Sequence, residues 1–429
     1  MNHTAAILDF AAVSHTLPPQ VRADSERLLA DTLAVGAAGW QEHGSGAVLN
    51  VVRSYTEGPT DDARVLGSGL WLAPISAAFL NGFQIHCLEW DAVHEPAVVH
   101  ALSTVAASLL AASDRNGGSN PEEFLTALAV GVDIASGLGL SATGPMQFFR
   151  PSTAGVIGAS LAVARLEGLS RDQMADVLGL AYSFASGTMQ AHVEASIALP
   201  LQIGRAAQGA LQAIDLVKAG LTGPHDVLEG PFGYSNLIEP LDLSRYTATL
   251  GQVWRISEVS TKPFPSGRAS HGALGALADL KNERVISLET IASIELFAPS
   301  LIHRLVGRPF QAGAPMSYNR LCLAFLVPLM LRDGHIDPRL DATIASLAEK
   351  VAVTLDGHPD GNALSPQRLV VKLNDGRIIE RQIAANLGSP EEPISSAQYT
   401  TKYDLCRELA GDCDPRIFND PLSYATDPR

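Results

Sequence analysis

Between Asn81 and His100 the chain sets three histidines (His86, His94, His100) and three carboxylates (Glu89, Asp91, Glu95). The flanking segments 70–80 and 101–107 are almost wholly apolar. Ionisable groups set between core-grade helices lose hydration unless something pairs with them, and such groups tend to mark a working site. Asp91 and His94 are three residues apart, so a helix would put them on one face. Pro96 disfavours helix at Glu95, so that helix is expected to end there, with His100 beyond a turn. Two readings follow. In one, His94 and His100 exchange protons while Asp91 orients one of them. In the other, a buried polar cluster ties two helices together. His86 lies further back and reads as a core or supporting residue.

A second group lies far along the chain, at 260–271. Pro263 and Pro265 stiffen the approach to a helix expected to begin near Arg268. Free backbone N–H groups at that start, with Arg268 and His271 on one face, suit a carboxylate. Lys262, just upstream, serves as a base if desolvated or else as a counter-charge. Taken alone, the same segment also reads as a linker between domains. Arg150 stands before a helix of small residues, where it could hold an acid group or sit exposed at an ordinary helix start. Gly-rich phosphate loops are absent, as are GxSxG and HExxH, so the usual nucleotide, hydrolase and zinc-protease readings find no support.

The composition frames the partners. At 429 residues, with 46% hydrophobic and 17% charged residues, the chain can build more than one real core. A net charge of −15 with no basic run argues against nucleic acid or an anionic membrane as partner and leaves a small anionic substrate possible, since a few local Arg and Lys decide that. The run 321–331 is apolar but carries Pro328 and is shorter than the ~20 residues of a membrane span. The four cysteines show no CxxC spacing, so no zinc, other metal or redox pair is expected, and a reducing cytoplasm is the natural compartment.

The elements that must position these residues change character along the chain. From Arg22 to about Gly251 the periodicity is helical, with Val21, Leu28, Leu29, Thr32 and Val35 sharing a face. Asn120-Pro121-Glu122-Glu123 is a helix start by its cap, its proline and its acids. Helices are expected over 153–166, 175–186 and 199–219. After about Ser266, strands are expected over 289–297, 351–355, 368–373 and 377–384, with Asn374-Asp375-Gly376 turning a hairpin. Helices are expected over 315–331, 338–350 and 399–410. The fold class read from this is mainly α: a large all-helical domain over 1–265, completed by the segment 390–429, and a small α+β domain with an antiparallel sheet over 266–389.

Several of these pieces occur together in one family. Asn81-Gly82 through His86, Asp91, His94 and His100 resembles a motif of the MmgE/PrpD family of 2-methylcitrate dehydratases and cis-aconitate decarboxylases. Further similar pieces follow in order: 150–155, Ala185-Ser186-Gly187, Gly204-Arg205-Ala206-Ala207, 228–233 and Lys262-Pro263-Phe264-Pro265. The resemblance implies a helical large domain, an α+β small domain, a cleft between them, a homodimer and cofactor-free chemistry on small di- or tricarboxylates. It places Asp91, His100 and Lys262 on positions that line the family's active site, and His94 and His271 on motif positions. Dehydrating and decarboxylating members carry His where this chain has Arg150. They also carry Lys-Arg-Leu-His where it has Leu199-Pro200-Leu201-Gln202. These departures resemble the iminodisuccinate epimerase branch, so the expected function is epimerisation by α-proton abstraction, with dehydration or decarboxylation as the alternative and a non-catalytic ligand-binding relative as a second one. Arg150, Arg268 and the helix start near His271 are then expected to hold substrate carboxylates, with His100 or Lys262 as base.

Overall fold

The computed structural model describes residues 2–42, 44–55, 62–341 and 345–429. The helical part is built on long, densely packed helices: Pro19–Ala38, Pro74–Cys87, Ala101–Arg115, Pro121–Ser141, Arg150–Leu166, Arg171–Ser183 and Ala198–Lys218. Their small residues allow close approach. A Cβ on Gly204 would lie 2.4 Å from the Phe79 carbonyl oxygen, so the Ala198–Lys218 and Pro74–Cys87 helices can pack this tightly only through glycine. Asn120 caps its helix as read, its side chain accepting from the amides of Glu122 and Glu123. Ser170 and Gln173 form a capping box that starts the next helix but one at Arg171, four residues before the expected 175. Pro121–Ser141 has the length and apolarity of a membrane span, but its side chains are buried among the other helices.

One hydrophobic cluster takes residues from Ile7 to Val259 and again from Cys406 to Ala425. The second is built mainly from 264–383 and reaches across to Val98 and Met146. The C-terminal helix Ser396–Ala410 packs on Pro19–Ala38. Lys402, fully buried, pairs with Asp31 at 2.6 Å and donates to the Trp90 carbonyl at 3.1 Å.

The sheet contains Ile291–Ala298, Val351–Leu355, Gln367–Leu373 and Ile378–Ile383. The hairpin at Asp375-Gly376 forms, Gly376 taking φ 89°. The first two strands pair in parallel and the other neighbours antiparallel, so the sheet is mixed at one edge. The helix expected over 315–331 is broken: Met316–Asn319 and Leu323–Asp333 flank a kink at Arg320, whose guanidinium turns inward to Glu42 and the carbonyls of Cys87 and Pro338. The helix expected over 338–350 is replaced by a turn at Pro338 and a 3₁₀ segment, Ala345–Lys350; residues 342–344 lie outside the described residues.

Candidate active site

The Pro74–Cys87 helix stops at Cys87, well short of Glu95. Glu89 takes a left-handed conformation, φ 54°, and its amide closes on the His86 carbonyl at 2.9 Å. That reversal folds Asp91 back onto the helix end, where both its carboxylate oxygens accept from His86 Nδ1, at 2.9 and 3.0 Å. Ser103 Oγ donates to the same carboxylate, and His100 Nδ1 lies 3.0 Å from it. Asp91 is fully buried.

The two distant groups meet through a very short ribbon. Val93 pairs with Ser260 and His94 with Val259, antiparallel, which carries Lys262 under the 89–91 turn. Lys262 Nζ donates to the Glu89 carbonyl at 2.9 Å, lies 3.4 Å from Glu89 Oε2 and 3.9 Å from Asp91 Oδ1, and is wholly shielded from solvent. Gly388 holds this segment from behind: the Thr261 amide donates to its carbonyl at 2.9 Å, and its φ of 95° leaves no room for a Cβ, which would fall 2.0 Å from Thr261 O. Trp90 Nε1 adds a hydrogen bond to Pro263 O at 3.2 Å.

The electrostatics separate the two imidazoles. Burial works to lower the pKa of His86, but Asp91 and Glu89 outweigh it and raise that pKa. At His100 burial wins over Asp91, and nearby Lys262 adds to the lowering. Burial would raise Asp91, yet His100 and His86 hold it well below the usual carboxylate range. Glu89 is likewise lowered against its burial, by His86 and Lys262. One imidazole thus favours its charged form and its neighbour the neutral form, the pattern that divides acid from base in a proton-transfer site. The rings meet edge-on, centroids 4.9 Å apart.

His86, Glu89, His100 and Arg268 line a narrow cavity of about 50 Å³ together with Val98, Phe149 and Leu199. That is a few times the 10–15 Å³ a single water requires. Val98, a β-branched residue, sits at φ 53°, and strained backbone of this kind collects at functional sites. A wider surface cleft of about 680 Å³ runs past Thr261 and Tyr399, but its only charged lining residues, Asp24 and Arg27, pair with each other.

Other expected residues fall elsewhere. His94 does not share a face with Asp91, since no helix continues there; it is fully buried, its Nε2 2.9 Å from Glu258 Oε2, with Nδ1 accepting from the Ala97 amide. Arg150, read as a carboxylate holder, does not line the cavity. Its Nε bonds both Glu239 oxygens at 2.9–3.0 Å, and its Nη1 donates to Ala97 O at 3.0 Å, so it holds the 94–99 turn. Arg268 reaches the cavity with Nη2 on Glu95 at 2.6 Å and on the Asn386 carbonyl and Nη1 on the Leu387 carbonyl, while its buried Nε has no hydrogen-bond partner. His271 does not reach the cavity. It is buried behind Arg268, contacting it at 3.2 Å, and burial followed by the Arg268 charge holds its pKa well below the usual value.

Two residues were underread. His86 is a central member of the cluster, a role invisible until the 89–91 reversal is known. His192 also lines the cavity, its pKa pushed down to about 4 by burial and by Arg308. Its surroundings, Gln190-Ala191-His192-Val193, carry no local signal. His86, Glu89 and His100 also bring ligand atoms within 4.8 Å of one another, a spacing that could suit a cation. Lys262, bonded to the same Glu89, already supplies the positive charge that carboxylate needs, and argues against a second cation there.

The chain is 28% identical to a human cis-aconitate decarboxylase over 88% of this chain and 82% of that protein. It is 26% identical to a cis-aconitate decarboxylase-like protein of Aspergillus oryzae over 96% and 91%, and 24% identical to a cis-aconitate decarboxylase of Aspergillus terreus over 92% and 86%. Residues 9–242 match the MmgE/PrpD N-terminal domain and residues 264–415 the MmgE/PrpD C-terminal domain, and the chain belongs to the MmgE/PrpD family.

Proposed function

We propose that the protein is a lyase-type enzyme that moves a proton next to a carboxylate of a small organic acid, by decarboxylation or dehydration. The observation that carries this is the pair of imidazoles sharing Asp91, one pushed toward its charged form and the other toward its neutral form. A proton next to a carboxylate is a weak acid, so the charge that develops on its removal needs positive groups already in place. In a dehydration His100, with Nδ1 turned to Asp91, takes the proton on Nε2. In a decarboxylation no proton is removed, and the carbanion left by departing CO₂ takes one, which charged His86 can supply from Nε2. His86 Nε2, in the cavity wall 3.5 Å from Glu89 Oε1 and without a hydrogen bond, is the cationic group that meets the developing charge, with Lys262 adding positive charge from behind Glu89. Arg268, Arg150, His94 and His271 act by fixing the walls. The relatives named cis-aconitate decarboxylases support the lyase type and an anionic small-molecule partner.

Epimerisation, the reading first drawn from the sequence, keeps one specific support. Leu199 lines the cavity and Gln202 bonds Thr188 O, where lyases of the family carry Lys and His. An enzyme that only returns a proton needs no acid at a leaving group. Incubation with small carboxylic acids in deuterated water separates the readings: decarboxylation releases CO₂, dehydration produces alkene absorbance, and epimerisation exchanges the proton without either. His100→Ala should remove all three signals while leaving the melting temperature near that of the parent. Unchanged turnover in that variant would refute the assignment of His100.

A further inference from the structure

Of the ionisable side chains that line the cavity, all but one have a partner inside the protein. His86 and His100 share Asp91, Glu89 faces Lys262, and Arg268 holds Glu95. His192 differs. It is only 6% exposed, yet among the described residues its ring makes no hydrogen bond and no ion pair. Its backbone, by contrast, is fixed: the carbonyl accepts from Arg308 Nη2 at 3.0 Å and from the Ala195 amide at 3.1 Å. A buried polar ring held in place with nothing to bond is unfavourable unless something enters to meet it.

The surroundings define the kind of atom that fits. Burial, followed by the Arg308 charge, keeps the ring neutral, so it carries one N–H and one bare nitrogen. Elsewhere in the wall, His86 Nε2 and Arg268 Nε are buried donors without a hydrogen-bond partner, on side chains that suit carboxylate oxygens. A carboxylate only accepts, and the bare nitrogen of His192 would repel it. A hydroxyl both donates and accepts, and so answers either nitrogen. We infer that His192 is a substrate-contacting residue whose ring bonds a hydroxyl group of the acid, so that the site prefers a hydroxy acid to the same acid without that hydroxyl. This deepens the lyase reading proposed above and rests on it for placing the substrate in this cavity.

Titration calorimetry on the full chain tests it with two pairs of acids that differ by one hydroxyl: citrate against propane-1,2,3-tricarboxylate, and malate against succinate. In at least one pair the hydroxy acid should bind about tenfold more tightly or better, the loss expected when a buried polar group is left unpaired. In His192→Ala that advantage should shrink to about threefold or less, while the acid lacking the hydroxyl binds no more weakly than to the parent. His192→Gln, which keeps a donor and an acceptor, should retain part of the advantage, and it replaces the alanine variant if that one does not fold. Equal binding within both pairs, an advantage untouched by either substitution, or no binding of any of these acids would overturn the inference. Exchange of the protons next to the carboxylates in deuterated water, followed by NMR on the parent, reads the proton-transfer proposal separately. A hydroxyl preference without exchange sinks the chemistry alone; exchange without the preference sinks the His192 contact alone.

Discussion

Replacing Asp91 by Asn removes one charge and almost no volume, and so isolates what the carboxylate does. In the parent protein Asp91 raises both His86 and His100; burial overcomes it at His100 only. The competent form holds His86 charged and His100 neutral. Activity should therefore rise through a pKa below 6.5, belonging mainly to His100, and fall through one above 6.5, belonging mainly to His86, with the two apparent values shared by the coupled pair. In Asp91→Asn both imidazoles lose their shared anion, so both limbs should move to lower pH. The rate at neutral pH should fall about 10²–10⁴-fold, the range of a general acid–base contribution. Stability should also drop, because Lys262 and His86 lose a buried partner, by about 3 kcal/mol, the low end for breaking such a pair, since Glu89 still faces both. The assay is kcat/KM against pH together with a thermal melt at pH 7. A variant whose pH profile keeps its midpoints, whatever its rate, would refute the idea that Asp91 sets the two protonation states.

Three further outcomes follow from the geometry. His192 is kept neutral in the fold, with a pKa near 4 against 6.5 when unfolded, so its contribution is present above pH 6.5 and lost as pH falls toward 4; the 2.5-unit gap corresponds to about 3 kcal/mol, and His192→Gln should flatten denaturant-measured stability across that window. Gly388→Ala should lower both stability and turnover, because the added Cβ collides with Thr261 O next to Lys262; melting and kcat on one sample check both, and an unaffected kcat would separate the two effects. Arg150→Met should cost about 3–5 kcal/mol of stability by stranding Glu239, with a KM close to the parent's in whatever still folds; a large KM change with intact stability would restore Arg150 as a substrate ligand.

Much of the architecture was legible because it is written locally. Asn120 before Pro121, and Asp375-Gly376 between alternating runs, each specify their own geometry within four residues. That Asp91, His100 and Lys262 belong together was expected only through the family resemblance, since by residue type alone their segments also read as a structural cluster and a linker. The pairing of Asp91 with His94 was misjudged because the three-residue spacing carries meaning only on a helix, and the left-handed turn at Glu89 ends it first. Arg150 was taken for a substrate ligand because Glu239, the carboxylate that occupies it, comes from 89 positions away; Arg268 does reach the cavity, and its partner Glu95, 173 positions away, was equally out of sight. His86 was misplaced for the same reason in reverse: its value depends on a chain reversal that no hydrophobic pattern encodes. The two-residue ribbon joining Val93 to Ser260 is likewise too short to leave a periodic trace.

The buried link from Lys402 to Asp31 and the Trp90 carbonyl has a consequence for biosynthesis. The residue adjoining Asp91 is propped by a helix that leaves the ribosome more than three hundred residues later. Nascent chains can assemble most of the helical layer early, but the loop that presents the shared carboxylate gains this prop only once the Ser396–Ala410 helix has been made. Proteolytic cleavage ahead of Ser396 would therefore leave a chain that still holds most of its helices but has lost the support for its reactive loop.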